Sequence, residues 1–281
     1  MNPDVLFKNF DLIAEMPGGV AKLRELILEW AFQGKLCPQS TNDEPASKQI
    51  DRIAKIVVER GLSKKKVDSK HELSFNKQKH KIPAGWESVA LADLVTIYNG
   101  RAYSKHELLD SGTPVLRVGN LFTSNHWYYS NLVLEPEKYC DKGDLLFAWS
   151  ASFGPFIWDG PKVIYHYHIW KLGLHSEDDL DKFFLYQFLK YKTQEIKHAG
   201  HGVSMLHMTK DSMEKLVVKL PPLAEQKRIV AKVDELMALC DRLDAQHAER
   251  QARRQTLTRA AIARFTADPT IANLQIGRAH V

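Results

Sequence analysis

A proline pair, Pro221-Pro222, separates a short apolar segment from an uninterrupted helical pattern of roughly forty residues. Proline cannot donate a hydrogen bond to a strand ladder, and its fixed φ suits the first turn of a helix. Beyond the prolines, positions spaced alternately by four and three residues form the 3.5-residue repeat that is typical of a coiled-coil seam. The apolar members of this seam are Ile229, Val233, Leu236, Cys240, Leu243 and Leu257. The sequence therefore predicts a long spacer or dimerisation helix over residues 221–266, whose seam requires a partner helix.

Three blocks of sequence carry a family resemblance. Residues 221–236 read Pro-Pro-Leu-Ala-Glu-Gln-Lys-Arg-Ile-Val-Ala-Lys-Val-Asp-Glu-Leu, residues 143–154 read Gly-Asp-Leu-Leu-Phe-Ala-Trp-Ser-Ala-Ser-Phe-Gly, and residues 112–121 read Gly-Thr-Pro-Val-Leu-Arg-Val-Gly-Asn-Leu. The first block closely resembles the conserved region of type I restriction-modification specificity subunits, the components that choose the DNA sequence. The other two resemble the core and the entry segment of their target-recognition domain. The resemblance implies a non-catalytic subunit without a cofactor, which binds double-stranded DNA and assembles with methyltransferase and restriction subunits.

The two ends of the chain bear on its organisation. Residues 36–39 and 42–47 resemble a block that these subunits carry after a long helix, which implies that the N-terminal helix packs beside the far end of a long helix. Full specificity subunits have two recognition domains and two long helices, whereas this chain has one of each. Residues 276–281 back-translate to the start of a widely used sequencing adapter, so we expect the tail from residue 276 to be a library artefact. A genuine half-size subunit that forms a homodimer through the long helix is the alternative.

The secondary-structure pattern predicts an α+β fold with a single β-rich globular domain. Residues 1–82 are expected to form an N-terminal helical segment and a basic linker, residues 83–220 the target-recognition domain, residues 221–266 the long helix and residues 267–281 a tail. The predicted N-terminal helices end at Gly34 and Gly61, and a third, aromatic-rich helix has Ser176 as its cap. Between Gly and Pro residues, apolar runs predict five strands. These are residues 96–98, 115–118, 132–134, 145–149 and 163–172.

Composition and charge allow a nucleic-acid partner without requiring one. The chain has 281 residues, 44% of them hydrophobic, and a formal charge of +5. Between residues 48 and 81, eleven Lys or Arg stand against four Asp or Glu, including Lys64, Lys65 and Lys66. This segment is interpreted either as a solvated linker or as one that follows DNA phosphates. No apolar run reaches the length of a bilayer and the N-terminus lacks a signal-peptide layout, so we expect a cytoplasmic protein without a membrane partner.

Enzyme classes were tested against their motifs. The sequence contains no phosphate-binding Gly-x-x-x-x-Gly-Lys-[Ser/Thr] loop, no Gly-x-Gly-x-x-Gly after a strand and no His-Glu-x-x-His helix. His166 and His168 alternate on one predicted strand and could form a metal pair, but no third ligand has a motif-like spacing. Cys37, Cys140 and Cys240 lack disulfide or metal spacing and are interpreted as reduced thiols. The sequence therefore predicts neither a catalytic residue nor a metal site.

Residues that could read DNA are polar groups in loops on the β-rich domain. Arg suits guanine, Asn suits adenine, and Ser or Thr suits either base. The candidates for DNA contact are Arg101, Tyr103, Arg117, Asn120, Ser150, Ser152, Ser204 and His207, with Lys64, Lys65 and Lys66 on the phosphates. For each residue taken singly, a turn or cap role is as good an interpretation as a role in recognition.

The resulting hypothesis is bipartite recognition. A helix of about forty residues is roughly 60 Å long, more than one turn of DNA, and could hold two reading heads apart. His247, Arg250 and Arg254 interrupt the seam and could contact a methyltransferase subunit. The alternatives are a coiled-coil interaction protein that does not read DNA and a DNA-modifying enzyme that acts alone.

Overall fold

The computed structural model describes residues 8–62, 82–150, 153–199 and 208–267. The helices and strands, in chain order, are α1 Phe10–Ala14, α2 Gly19–Phe32, α3 Ala46–Glu59, β1 Glu87–Ala90, α4 Leu91–Leu94, β2 Val95–Asn99, β3 Thr113–Leu116, α5 Val118–Phe122, β4 Tyr128–Ser130, β5 Tyr139–Cys140, β6 Leu145–Ala148, β7 Gly154–Ile157, β8 Val163–Tyr165, β9 Ile169–Leu174, α6 Lys182–Ala199, α7 Lys210–Glu214, β10 Val217–Leu220 and α8 Leu223–Ala267. Two short 3₁₀ turns, Lys105–Glu107 and Pro136–Lys138, lie between them. The predicted α+β class, with a β-rich body and a long C-terminal helix, is confirmed. No helix in the described ranges is long and apolar enough to cross a membrane.

The strands form three sheets. The first has the order β2-β9-β6-β7 and is antiparallel throughout. The second has the order β4-β3-β8-β5, and within it β3 and β8 are parallel. A third, two-stranded sheet joins β1 to β10, so the strand that enters the domain pairs with the strand that leaves it for α8.

The predicted ends of the two N-terminal helices are confirmed, whereas the start of the aromatic-rich helix is not at the predicted residue. The two N-terminal helices end beside Gly34 and Gly61, which have φ of 66° and 62°, a left-handed conformation that glycine adopts without strain. The aromatic-rich helix begins later than expected, at Lys182. Its first turn is capped by Asp181, whose carboxylate accepts a hydrogen bond from the Phe184 amide at 2.9 Å. Ser176, the predicted cap, instead donates to Asp179 at 2.9 Å.

Three strand predictions need correction. Residues 132–134 are not a strand, because β3 pairs instead with β4 at residues 128–130. Val118 belongs to the first turn of α5 rather than to β3. The predicted single strand over residues 163–172 is two strands, β8 and β9, which lie in different sheets and are joined by a sharp corner at residues 166–168.

The main core lies between the N-terminal helices, the first sheet, α6 and the first half of α8. Phe32 at the end of α2 packs its ring edge-on against Phe184 and Phe188 of α6, with ring centroids 5.5 Å apart in each pair. Phe184 and Phe188 of α6 therefore serve as core, as aromatic side chains usually do, whereas Phe183 is 50% exposed. A second, smaller cluster joins the two four-stranded sheets, with Leu116 and Tyr165 from the second sheet and Leu146 from the first. The three cysteines are free thiols.

The first half of the α8 seam is covered by the chain itself. Ile229, Val233 and Cys240 are buried against α2 and α6. Helix α2 runs antiparallel to α8, since Cys37 donates to the carbonyl of Arg228 whereas Arg24 bonds Asp241 at 2.7 Å. For this half of the seam, the partner helix that the pattern requires is the chain's own α2. The N-terminal helix thus packs beside the first half of the long helix, not beside its far end.

Three polar side chains in the first turns of α8 fix the helix to the body. Glu225 is buried and accepts a hydrogen bond from the indole Nε1 of Trp86 at 2.9 Å. The amide oxygen of Gln226 accepts from the Asp181 backbone at 2.8 Å. Arg228 donates to Asp43 at 3.2 Å. The polar residues Glu225, Gln226 and Arg228 therefore join the start of the helix to three separate parts of the chain.

Candidate nucleic-acid interface

The parallel pairing of β3 with β8 brings together two residues that are far apart in sequence. In this pair Val115 lies opposite Ile164 and Leu116 opposite Tyr165. Neighbouring strands are about 4.8 Å apart, and parallel strands end at the same edge of a sheet. The next residue of each strand, Arg117 and His166, therefore leaves the sheet at the same edge. The His166 amide extends the pairing by donating to the Leu116 carbonyl at 2.9 Å.

The corner that follows β8 is held on both sides. The Ile169 amide donates to the His166 carbonyl at 2.9 Å, which closes a four-residue turn. On its other side, the Tyr167 amide donates to the Arg101 carbonyl at 3.0 Å. Gly100 makes this approach feasible, because a Cβ at that position would lie 2.2 Å from the His166 carbonyl oxygen. The backbone of His166 is thus fixed by three neighbouring segments.

A cleft of about 370 Å³ opens beside this edge. Its walls come from the end of β3, helix α5, the following loop and the corner after β8. The lining residues are Arg117, Val118, Gly119, Asn120, Ser124, His126, His166 and His168. Among the described residues that line it there is one arginine and three histidines but no carboxylate. The cleft therefore offers hydrogen-bond donors and a positive charge to an occupant.

Two rings set the geometry of the cleft. The Arg117 guanidinium lies over the ring of Tyr128, 5.1 Å from its centroid, which is a cation–π arrangement. The His126 ring meets the same tyrosine edge-on with centroids 4.7 Å apart. Burial, with smaller contributions from His168 and Arg117, lowers the pKa of His166 to about 4. His166 is therefore a neutral imidazole near neutral pH.

Arg101 and Tyr103, two predicted contact residues, lie next to the cleft but make other interactions. The guanidinium of Arg101 donates to both carboxylate oxygens of Glu107, at 3.0 and 2.6 Å. Hydrogen bonds from Arg101 and Ser104 hold the pKa of Glu107 at about 2, so the carboxylate is ionised and offsets the arginine charge. The Arg101 guanidinium also lies over the ring of Tyr103, 5.3 Å from its centroid. This pair shapes the border of the cleft.

Asn120, another predicted contact residue, forms part of the cleft wall. Its side-chain oxygen accepts from the Arg117 amide at 3.0 Å, and its side-chain nitrogen donates to the His126 carbonyl at 2.7 Å. These bonds tie α5 to the loop that carries His126. Ser150 is half-buried at the end of the first sheet. Ser152, Ser204, His207, Lys64, Lys65 and Lys66 lie outside the described residues.

The sequence offered two interpretations of His166 and His168, a metal pair or strand histidines that face solvent or DNA. They do lie close, with ring centroids 4.9 Å apart, but at a corner and not on one strand face. In the described part of the chain, no group of three or more His, Cys, Asp or Glu could hold a metal ion. The signal that would have linked His166 to Arg117 is the β3–β8 pairing, which spans 49 positions and has no local marker.

The second half of α8 differs from the first because it leaves the body. Leu257 is 71% exposed, and Ile262 and Phe265 are each 57% exposed. Near the junction of the two halves, Arg250 forms an ion pair with Glu15 at 3.2 Å. Of the predicted interface residues, Ile229, Val233, Leu236 and Cys240 are buried within the chain, Leu243 is partly buried, and Leu257 is exposed.

Comparison with known proteins gives one family. A model described as "Type I restriction modification DNA specificity domain" matches residues 83–250. The EcoEI specificity subunit of the type I restriction enzyme from Escherichia coli is 28% identical over 266 residues, covering 88% of this chain and 44% of that protein. The corresponding EcoAI subunit, also from Escherichia coli, is 30% identical over 255 residues, covering 81% and 41%. The chain thus spans less than half the length of these curated relatives.

Solved structures resemble this fold. The crystal structure of an HsdS subunit from Thermoanaerobacter tengcongensis aligns with a TM-score of 0.52 at 20% identity, covering 92% of this chain and 55% of that one. A chain from a study of complex assembly and conformational transition of the type I R-M system aligns with a TM-score of 0.55 at 20% identity, covering 92% and 56%. At this level of identity the likeness concerns the fold.

Proposed function

Because the chain belongs to the family of type I restriction modification DNA specificity domains, we propose that it is a non-catalytic subunit that reads DNA sequence for a restriction and methylation complex. The observation that carries the proposal is the family match over residues 83–250, which includes both the β-rich body and the first half of α8. Its ligand is double-stranded DNA, and its partners are methyltransferase and restriction subunits. A DNA ligand implies the cytoplasm as its location.

The cleft beside Arg117 supports this role. Base edges in the major groove are recognised by side-chain donors and acceptors that are held in place before binding. Arg117 is kept on the Tyr128 ring, and the wall around it is fixed by the bonds of Asn120. A donor-rich cleft without a carboxylate in its described lining suits an acceptor-rich base edge. Lys64, Lys65 and Lys66 would add affinity through phosphates without adding sequence information.

Helix α8 supports the second part of the proposal, which is bipartite recognition. Its 45 residues give a length of about 67 Å, compared with about 34 Å for one turn of DNA. The first half is fixed to the body, and the exposed apolar residues of the second half offer a seam to another helix. We propose that this half binds either a second copy of the chain or a methyltransferase subunit.

The test is binding by the full chain in complex with its methyltransferase subunit to duplexes selected from a pool with a randomised core. We expect a sequence-selective complex whose affinity falls as salt rises, because phosphate contacts release counterions. Replacing Lys64, Lys65 and Lys66 by Gln should weaken binding to every sequence alike and flatten the salt dependence. The unselected pool serves as the reference for both measurements.

Two outcomes would favour the rival functions. Assembly with the methyltransferase subunit without any enrichment of a DNA motif would support a coiled-coil interaction protein. Methyl transfer from S-adenosylmethionine, or DNA cleavage with ATP and magnesium, by the chain alone would support an enzyme. For methyl transfer or cleavage to be assigned to this chain and not to a contaminant, a point substitution in this chain must abolish that activity.

A further inference from the structure

Two residues with hydrogen-bond donors, Arg117 and His166, lie at the edge of the sheet where β3 and β8 end. Leu116 and Tyr165 lie opposite each other in the parallel pair, and Arg117 and His166 are the residues that follow them. Both side chains line the same cleft. The turn at His166 is closed by its bond to Ile169, so the position of its ring does not depend on an extended loop.

The hydrogen bonds of His166 indicate which ring nitrogen carries the proton. The His168 amide donates to Nδ1 of His166 at 3.5 Å, so Nδ1 acts as an acceptor. In a neutral imidazole the other nitrogen then holds the hydrogen. Nε2–H of His166 is therefore a donor, and the five donors of the Arg117 guanidinium belong to a side chain that lines the same cleft.

We propose that Arg117 and His166 together read one guanine through its major-groove edge, a role that rests on the DNA-reading function proposed above. Guanine presents two acceptors there, N7 and O6, which match paired donors. Adenine presents an acceptor and a donor, so one of the two protein donors would face a donor. Cytosine presents a donor, which the pair would also reject. His166 is thus a specificity-determining residue and not a metal ligand.

A phosphate oxygen is the other acceptor in DNA that could occupy this cleft. Phosphates are commonly met by flexible cations, which bring charge without fixed direction. The cleft differs in two respects. The Arg117 guanidinium lies over the Tyr128 ring, 5.1 Å from its centroid, and His166 contributes a directed N–H without charge. Both features favour a base edge.

The experiment compares the wild-type complex with His166→Leu and Arg117→Lys. The first variant removes the imidazole donor, and the second keeps the charge of Arg117 but loses its paired donors. After the preferred duplex has been selected from the randomised pool, binding is measured for every single-base variant of it. We expect one position at which guanine is preferred, and at that position each substitution should reduce discrimination about ten- to a hundredfold.

The control is His106→Leu, which alters an exposed histidine of the same domain that does not line the cleft. It should leave the base preference unchanged. If His166→Leu does not fold, as judged by thermal unfolding, Arg117→Lys alone decides the matter because that side chain is exposed. Its loss of guanine preference at one position would support the proposal.

Three results would overturn the inference. One is a uniform loss of affinity across all base variants, which would assign the two side chains to a phosphate. Another is unchanged discrimination, or relaxation at two different positions. A third is a wild-type motif without a guanine-dependent position. A wild-type complex that enriches no motif would instead refute the proposed function itself, so the two failures can be distinguished.

Discussion

The buried hydrogen bond between Trp86 and Glu225 joins the β-rich body to α8, and its contribution to stability can be measured by substitution. Trp86 is 4% exposed and Glu225 is 1% exposed. The indole Nε1 donates to Oε2 of Glu225 at 2.9 Å, and the other carboxylate oxygen has no hydrogen-bond partner among the described residues. The substitution Trp86→Phe keeps an aromatic ring in the site but leaves the buried carboxylate without this donor.

The expected cost follows from two contributions. A hydrogen bond to a charged group contributes about 1.5–3 kcal/mol to stability, and a bond between neutral groups about 0.5–1.5 kcal/mol. The smaller ring removes buried apolar area worth about 1 kcal/mol. Trp86→Phe should therefore lower the free energy of unfolding by about 2.5–4 kcal/mol when Glu225 is ionised, and by about 1.5–2.5 kcal/mol when it is protonated.

The pH dependence has a definite sign. Burial raises the pKa of Glu225, whereas the bond from Trp86 lowers it. With a folded-state pKa above the unfolded value, stability from this group is fully present below the unfolded pKa and is lost as the pH rises through the folded pKa. Removing the indole N–H raises the folded pKa further. The cost of Trp86→Phe should therefore be larger at about pH 8 than at about pH 4.5.

The measurement is urea unfolding followed by circular dichroism at both pH values. The matched control is the same substitution in a Glu225→Gln background, where the side chain still accepts a bond but carries no charge. There the cost should be smaller and should not change with pH. An equal cost at both pH values in the two backgrounds would show that Trp86 acts only through packing, and the reasoning would be refuted.

Two other predictions concern the helix and the corner. Leu236→Asp should destabilise the fold by more than about 3 kcal/mol, because it buries a charge inside the chain, whereas Leu257→Asp should change stability by less than about 0.5 kcal/mol but weaken assembly in sizing experiments. Equal effects of the two on thermal unfolding would contradict the division of α8. Gly100→Ala should cost about 1–3 kcal/mol in urea unfolding, because the added Cβ meets the His166 carbonyl oxygen at 2.2 Å; an unchanged midpoint would contradict the tight approach.

The sequence predicted several helix ends and strands that depend on neighbouring residues. Gly34 and Gly61 marked the ends of two helices because glycine adopts a positive φ without strain. The proline pair and the regular apolar spacing marked α8, which begins at Leu223 and continues to Ala267. Propensity and spacing also located β2, β6 and α6 to within a few residues or less.

The seam of α8 shows what a local pattern cannot decide. Its period predicted that an apolar face is covered, but not by which helix. The helix that packs on the first half of α8 proved to be α2, about two hundred residues earlier in the chain, because the N-terminal helices return to the long helix. The same limit applies to the cleft, since Arg117 and His166 become neighbours only through a parallel pairing of distant strands.

The joint at the start of α8 has a geometric consequence for the proposed bipartite recognition of DNA. A tilt of about 10° at the base of a helix about 67 Å long would move its far end by about 12 Å, or more than three base pairs of DNA. Glu225, Gln226 and Arg228 reach Trp86, Asp181 and Asp43 respectively. Since these three partners come from different parts of the chain, tilting or rotating the helix would break more than one of the bonds at once. Together with the packing of α2 and α6 on the first half of α8, the polar residues after Pro222 therefore fix the direction of the helix, and with it the distance at which a second reading head would meet the DNA.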